Sequence, residues 1–165
     1  MSFVLLVCTS SLEQNILVTN ASNYAVSTSF SQPFNIVGST SKQISSLVIK
    51  YDPSVCVKGF DFVYNDGTTV STGYVGSATT VIDLNNKHLH SFKSYCVGIC
   101  NYISVCTIDM ITMQYGCFNT GNTATQLLYN LIAVSSYCVT GMYGDFAIYS
   151  TTTNCLRQLG VSYFI

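Results

Sequence analysis

The stretch Val57-Lys58-Gly59-Phe60-Asp61-Phe62-Val63-Tyr64-Asn65-Asp66-Gly67-Thr68-Thr69-Val70 decides the fold class. Its period is two. Phe60, Phe62 and Tyr64 share one parity and make an aromatic face, while Val57, Gly59, Asp61, Val63 and Asn65 share the other. Such alternation marks a half-buried β-strand, because successive side chains point to opposite faces. Asn65-Asp66-Gly67 follows at once, and a strand resumes at Thr68. An Asp-Gly pair between alternating runs predicts a hairpin, since Gly supplies the positive φ that the turn needs. Just upstream, the β-branched run 44–51 is closed by Asp52-Pro53-Ser54.

The same grammar extends in both directions. Further strands are predicted at 70–74, 79–84, 88–95, 102–109, 111–115, 126–133, 136–142, 145–149 and 155–164, with Gly, Asn, Asp, Ser and Thr in the gaps. Lys, Glu and Ala are scarce, so helices have little local support. The one amphipathic candidate, 124–134, is assigned to a strand. The opening MSFVLLVCTSS has an apolar core, Phe3 to Cys8, but no charged segment before it, and reads as a first strand rather than a secretion signal. No Pro/Gly/Ser stretch or charge run divides the chain, so residues 1–165 are expected to form one domain. Short strands at roughly ten-residue spacing point to an all-β sandwich, barrel or prism. Runs beginning at Ile44, Ile103 and Cys155 echo one another faintly, which suits three four-stranded units around one core.

Composition removes several function classes. Of 165 residues only 8% are charged, against roughly 25% in ordinary soluble proteins. Six basic and seven acidic side chains leave a net charge of -1, which excludes the clustered cationic stripe that binds nucleic acid. The 48% hydrophobic content argues against disorder, and no apolar run is long enough for a membrane-spanning helix. Sparse charge also leaves little repulsion against self-association, so a homo-oligomer or assembly is expected.

Eight cysteines, at positions 8, 56, 96, 100, 106, 117, 138 and 155, could form up to four disulfides in an oxidising compartment. Spacing alone leaves 105 connectivities open. His88 and His90 lie upstream of Cys96 and Cys100 and would share one strand face, a weak zinc signal. Strand-end histidines and buried cysteines account for the same residues, and neither a metal nor another cofactor is expected. Asn20-Ala21-Ser22 is a lone glycosylation triplet of a kind expected by chance.

No catalytic residue is expected. There is no G-x-S-x-G elbow and no phosphate-cradling glycine loop with its Lys. Asp52, Asp66 and Asp83 adjoin turns or strand ends, where Asp bonds its own backbone. Asp109, in the apolar run Thr107 to Ile111, reads as a strand end because Asp is a poor strand former.

Six fragments, in order, resemble the jacalin-related lectins, a family that includes the zymogen-granule lectins. Ile44-x-x-Leu47-x-Ile49 resembles the opening strand, and Gly59-Phe60-Asp61-Phe62-Val63-Tyr64-x-x-Gly67 resembles the hairpin that follows. Gly73 with Gly76, Val81 to Leu84 with His90-Ser91-Phe92, and Ile103 to Ile108 with Tyr115-Gly116 resemble later segments. Leu156-x-x-Leu159-Gly160-Val161-x-Tyr163 resembles the closing strand. The resemblance covers about 44 to 164 and implies a β-prism I of three four-stranded Greek-key sheets, a glycan-binding role, and secretion or storage in a granule.

It also exposes a departure. The family holds a monosaccharide between an early glycine-rich loop and a G-x-x-x-D loop before the closing Ile-Gly. Counting back from Gly160, Thr153 stands at the glycine and Arg157 at the aspartate, and the early loop, expected within 24–38, holds only Gly38. A carboxylate accepts hydrogen bonds from sugar hydroxyls, whereas Arg can only donate. The family's mannose or galactose mode is therefore expected to be weak or lost. Tyr149, Thr153, Asn154, Cys155 and Arg157 are the candidate ligand contacts. Two roles fit Arg157, the only Arg: recognition of an acidic or sulfated sugar, or a structural pair with a nearby Asp. The alternative to a glycan-binding module is a structural, self-assembling component of a coat, granule or filament. Prisms carry exposed strand edges, and cysteines could crosslink neighbours.

Overall fold

The computed structural model describes residues 13–17, 31–37, 44–97, 99–121, 129–133, 138–150 and 153–164, all of them in strands or the turns between them. The strands are β1 (Glu13–Leu17), β2 (Ser31–Val37), β3 (Ile44–Asp52), β4 (Cys56–Tyr64), β5 (Thr69–Gly73) and β6 (Ala78–Asp83). They continue with β7 (Lys87–Val97), β8 (Ile99–Asp109), β9 (Tyr115–Gly121), β10 (Tyr129–Ala133), β11 (Cys138–Ser150) and β12 (Thr153–Phe164).

They form three antiparallel four-stranded sheets ordered β6-β3-β4-β5, β10-β7-β8-β9 and β2-β11-β12-β1. In the first two, three consecutive strands lie side by side and the fourth returns beside the first, the Greek-key order. The third sheet has the same order read cyclically, with β11 and β12 first and β1 and β2 completing it. The chain ends thus meet inside one sheet, where β1 pairs β12 from Glu13↔Phe164 to Leu17↔Gly160. This is the expected β-prism.

From Phe60 onward the decisive stretch behaves as its alternation predicts, whereas a bulge against Lys50 and Tyr51 shifts the register just before it and turns Val57, of the other parity, into the core. Phe60, Phe62 and Tyr64 are buried, and Asp61 and Val63 are half-buried on the other face. At the turn Gly67 has φ 81°, and the Asp66 carboxylate accepts hydrogen bonds from the Thr68 amide and hydroxyl. The three sheets bury their inner faces on one another. Phe60 and Phe62 meet Phe92, Ile103 and Val105 of the second sheet and Met142, Phe146, Leu156 and Leu159 of the third. Phe34, Phe60 and Phe146 have ring centroids 5.2–6.3 Å apart and tie the first sheet to the third. Gly73, at φ 73°, ends β5 where a Cβ would meet the Lys58 carbonyl at 2.4 Å and the Phe146 ring at 2.6 Å. Only glycine suits that closeness and that φ.

Several expectations are corrected. Residues 111–114 form a turn, not a strand, and the strand begins at Tyr115. Asp109 is the reason: its carboxylate accepts the Ile111 and Thr112 amides and ends β8. The predicted run at 145–149 and the described part of the run at 136–142, from Cys138, are one strand, β11, continuous through Gly144, where a Cβ would meet the Gln158 carbonyl. Residues 31–37, expected within a loop, are β2 and pair with β11. The echoing runs are all central strands but do not superpose by symmetry, since Ile44 lies on the first strand of its Greek key and Ile103 and Cys155 on the second. The predicted strand at 3–8, the triplet at 20–22 and the early-loop residues 24–30 and 38 lie outside the described residues.

Candidate functional site

The starts of β4, β8 and β12 come to one end of the prism. Cys56, the first residue of β4, Ile99, the first of β8, and Cys155, near the start of β12, form a small buried cluster there, apart from the main core. Cys56 and Cys155 are disulfide-bonded across sheets, 99 residues apart in sequence and 5.7 Å apart at Cα. Cys100, next to Ile99, is also disulfide-bonded, and its Sγ lies 3.6 Å from the Arg157 carbonyl. A second bond, Cys106–Cys117, joins directly opposed residues of β8 and β9. Among the described residues no cysteine is free.

Arg157 follows this plug on β12. Gln158 pairs with Asp145 and Leu156 with Phe146, which leaves Arg157 as the extra residue of a β-bulge. A bulge re-aims a side chain. Here the guanidinium grips Asp145 of β11 side-on with one edge of its plane: Nε donates to Oδ1 at 3.1 Å and Nη2 donates to Oδ2. The Asp145 side chain is only 9% exposed and that of Arg157 28%. Hydrogen bonding and attraction from Asp145 raise the Arg157 pKa further above its already high value, against the opposing effect of burial. The pairing of Arg157 with a nearby Asp, one of the two roles weighed from the sequence, is thus present. Guanidinium has five N–H donors, and three remain after the two bonds to Asp145.

The other predicted contacts are placed as follows. Thr153 and Asn154 open β12 beside the hairpin and are half-buried. Tyr149 is the penultimate residue of β11. Cys155 is fully buried and its sulfur is committed to Cys56, so it serves as a strut and its side chain does not reach a surface ligand. Sequence reading did not find Asp145 or Cys56 as partners. An acidic residue inside an apolar strand run was the available signal for Asp145, whereas nothing in the cysteine spacing singles out Cys56.

Elsewhere the ionisable groups are tied to local structure. Asp52 accepts the Ser77 amide at 2.7 Å and lies 3.4 Å from Lys58 Nζ, and that hydrogen bond in particular lowers its pKa. Asp61 bonds Lys50 at 2.7 Å; burial opposes its ionisation, but hydrogen bonds from Lys50 and Ser71 outweigh this and lower its pKa. Asp83 accepts from Asn85. His90 packs edge-on to Tyr115, and burial lowers the pKa of His88. No group of three His, Cys, Asp or Glu side chains is placed to hold a metal ion among the described residues, and Cys100, in a disulfide, has no thiolate to offer.

No protein-family model matches the sequence, and no curated protein resembles it in sequence. The fold has clear counterparts among solved structures. A prostate-specific WGA16 glycoprotein lectin aligns with a TM-score of 0.63 at 14% identity, over 81% of this chain and 90% of that one. Single-chain recombinant jacalin aligns with a TM-score of 0.63 at 12% identity, over 95% and 99%. Malaysian banana lectin aligns with a TM-score of 0.60 at 13% identity, over 93% and 97%. The chain has the all-β prism fold of the jacalin-related lectins.

Proposed function

We propose that the chain is a single, non-enzymatic glycan-binding module whose ligand end is the β11–β12 hairpin. The observation that carries this reading is Arg157 in that fold. It stands where the resemblance puts the family's sugar-binding aspartate, is fixed by Asp145, is partly exposed, and keeps three donors. Thr153 and Asn154 of β12 and Tyr149 of β11 lie nearer the hairpin and are the other proposed contacts. A fixed donor fork suits acceptor-rich sugars, uronic or sulfated, better than neutral mannose or galactose. The commitment of the described aspartates to turns and ion pairs supports a non-enzymatic role. Disulfides at Cys56, Cys100 and Cys106 support secretion or granule storage, since such bonds persist in oxidising compartments.

A glycan array followed by titration calorimetry tests this. Binding of acidic or sulfated glycans, stronger than of mannose or galactose and weakened by Arg157→Gln, is the expected result. No glycan bound at millimolar concentration would sink it. The second reading, a self-assembling coat or granule component, is favoured by the 8% charge content. It would gain if light scattering showed large assemblies and the array stayed blank.

A further inference from the structure

We propose that the β8–β9 hairpin tip, at the end of the prism opposite the disulfide plug, is a lipid-contacting surface that dips into the interface of a zwitterionic bilayer. β8 runs from Ile99 in the plug to Asp109, a rise of about 30 Å at strand geometry. Beyond it the tip carries Ile111, Met113 and Tyr115, which are 69%, 61% and 63% exposed. Seven large hydrophobic side chains are exposed among the described residues, and these three fall within five positions.

Two features separate this tip from an ordinary loop. Met113 has φ 58°. Glycine is the relaxed residue there, and an L side chain is strained. An unbranched apolar side chain is therefore held outward against a local penalty. Four of the tip's backbone donors are also satisfied internally. The Ile111 and Thr112 amides donate to the Asp109 carboxylate, the Met113 amide to the Asp109 carbonyl, and the Met110 amide to the Asn86 carbonyl. Satisfied donors are what entry into a low-dielectric layer requires.

Area and charge select the occupant. The three side chains expose about 400 Å², within the size of ordinary functional patches. A stable protein–protein contact buries about 800 Å² on each partner, and Thr112, Gln114 and Asn86 interrupt the apolar surface here. A bilayer needs no minimum matching area. Tyr115, braced edge-on by His90 at 4.8 Å, has the amphipathic ring that settles at headgroup depth. Among the described residues the charges at this end are Asp66, Asp83, Lys87 and Asp109, so they form no cationic patch for anionic lipid.

The test uses the whole chain and large vesicles of phosphatidylcholine. Co-sedimentation that is insensitive to salt and to added phosphatidylserine is expected. The chain has no Trp, so Ile111→Trp supplies a single reporter whose emission should shift to the blue on vesicle addition. Ile111→Ser and Met113→Gly should each weaken partitioning about tenfold. Met113→Gly relieves the positive φ, so it should keep or raise the melting temperature, which separates loss of binding from loss of fold. The proposal is overturned by absence of binding at millimolar lipid. It is equally overturned by binding that persists in both variants, by binding confined to phosphatidylserine and abolished by salt, or by a tip-dependent dimer without vesicle binding. Sugar binding is read separately through Arg157→Gln, so either reading can fail alone.

Discussion

The two located disulfides close loops of very different length, which permits a comparison within one molecule. Cys56–Cys155 spans 99 residues and joins two sheets, whereas Cys106–Cys117 spans 11 and joins neighbouring strands. If a crosslink acts by constraining the unfolded chain, closure entropy assigns about 4.7 kcal/mol to the long loop and about 2.8 kcal/mol to the short one. The difference is about 2 kcal/mol. Packing adds in the same direction, because Cys56 and Cys155 are wholly buried while Cys117 is exposed. The assay is urea unfolding of three oxidised proteins: the parent, Cys56→Ala/Cys155→Ala, and Cys106→Ala/Cys117→Ala. The 12 tyrosines supply the fluorescence signal. The long-loop variant should lose the larger amount and melt about 10–15 °C lower. Its m-value should rise, because the freed unfolded chain exposes more surface. Equal losses, or a larger loss from the short loop, would refute the reasoning.

Breaking the Arg157–Asp145 pair from one side by Arg157→Met, which takes the guanidinium from the buried carboxylate, should cost about 3 kcal/mol, and the double variant Asp145→Leu/Arg157→Met should recover most of it in a chemical-denaturation cycle. Acid should unfold the protein in two stages. His88 has a folded pKa below 6.5, so the stability it contributes is full above that value and is lost as pH falls through the depressed folded value; His88→Gln should remove this stage from a melting-temperature profile. Asp52, Asp61 and Asp109 have folded values below 3.8, so their contribution holds above about that pH and is lost as pH falls further, with Asp109→Asn flattening the second stage.

The fold was legible where side-chain parity and turn chemistry agree. Phe60, Phe62 and Tyr64 alternate and are buried, and Asp66-Gly67 turns the chain where its chemistry requires. Errors arose where a strand's apolar signal outran its backbone. Ile111 and Met113 look like strand residues by type, but the carboxylate of Asp109 captures the next two amides and forces a turn. Ser31–Val37 is polar enough to read as loop and is a strand because β11 supplies its partner at long range. The candidate site was partly legible. Arg157 stood out as the only Arg, but its contact with Asp145 depends on a bulge that shifts register by one residue. No periodicity reports such a shift.

Sheet three draws its inner strands from the last part of the chain and its outer strands from the first. During ribosomal synthesis β1 and β2 emerge early, yet their partners follow more than 100 positions later. The other two sheets complete themselves within contiguous segments. Ring closure by the late hairpin is therefore the expected slow event, since distant pairing must meet its chain-ordering cost before any contact rewards it. Until then two early, sparsely charged strands stand unaccompanied, and this interval is where a holdase chaperone would matter most.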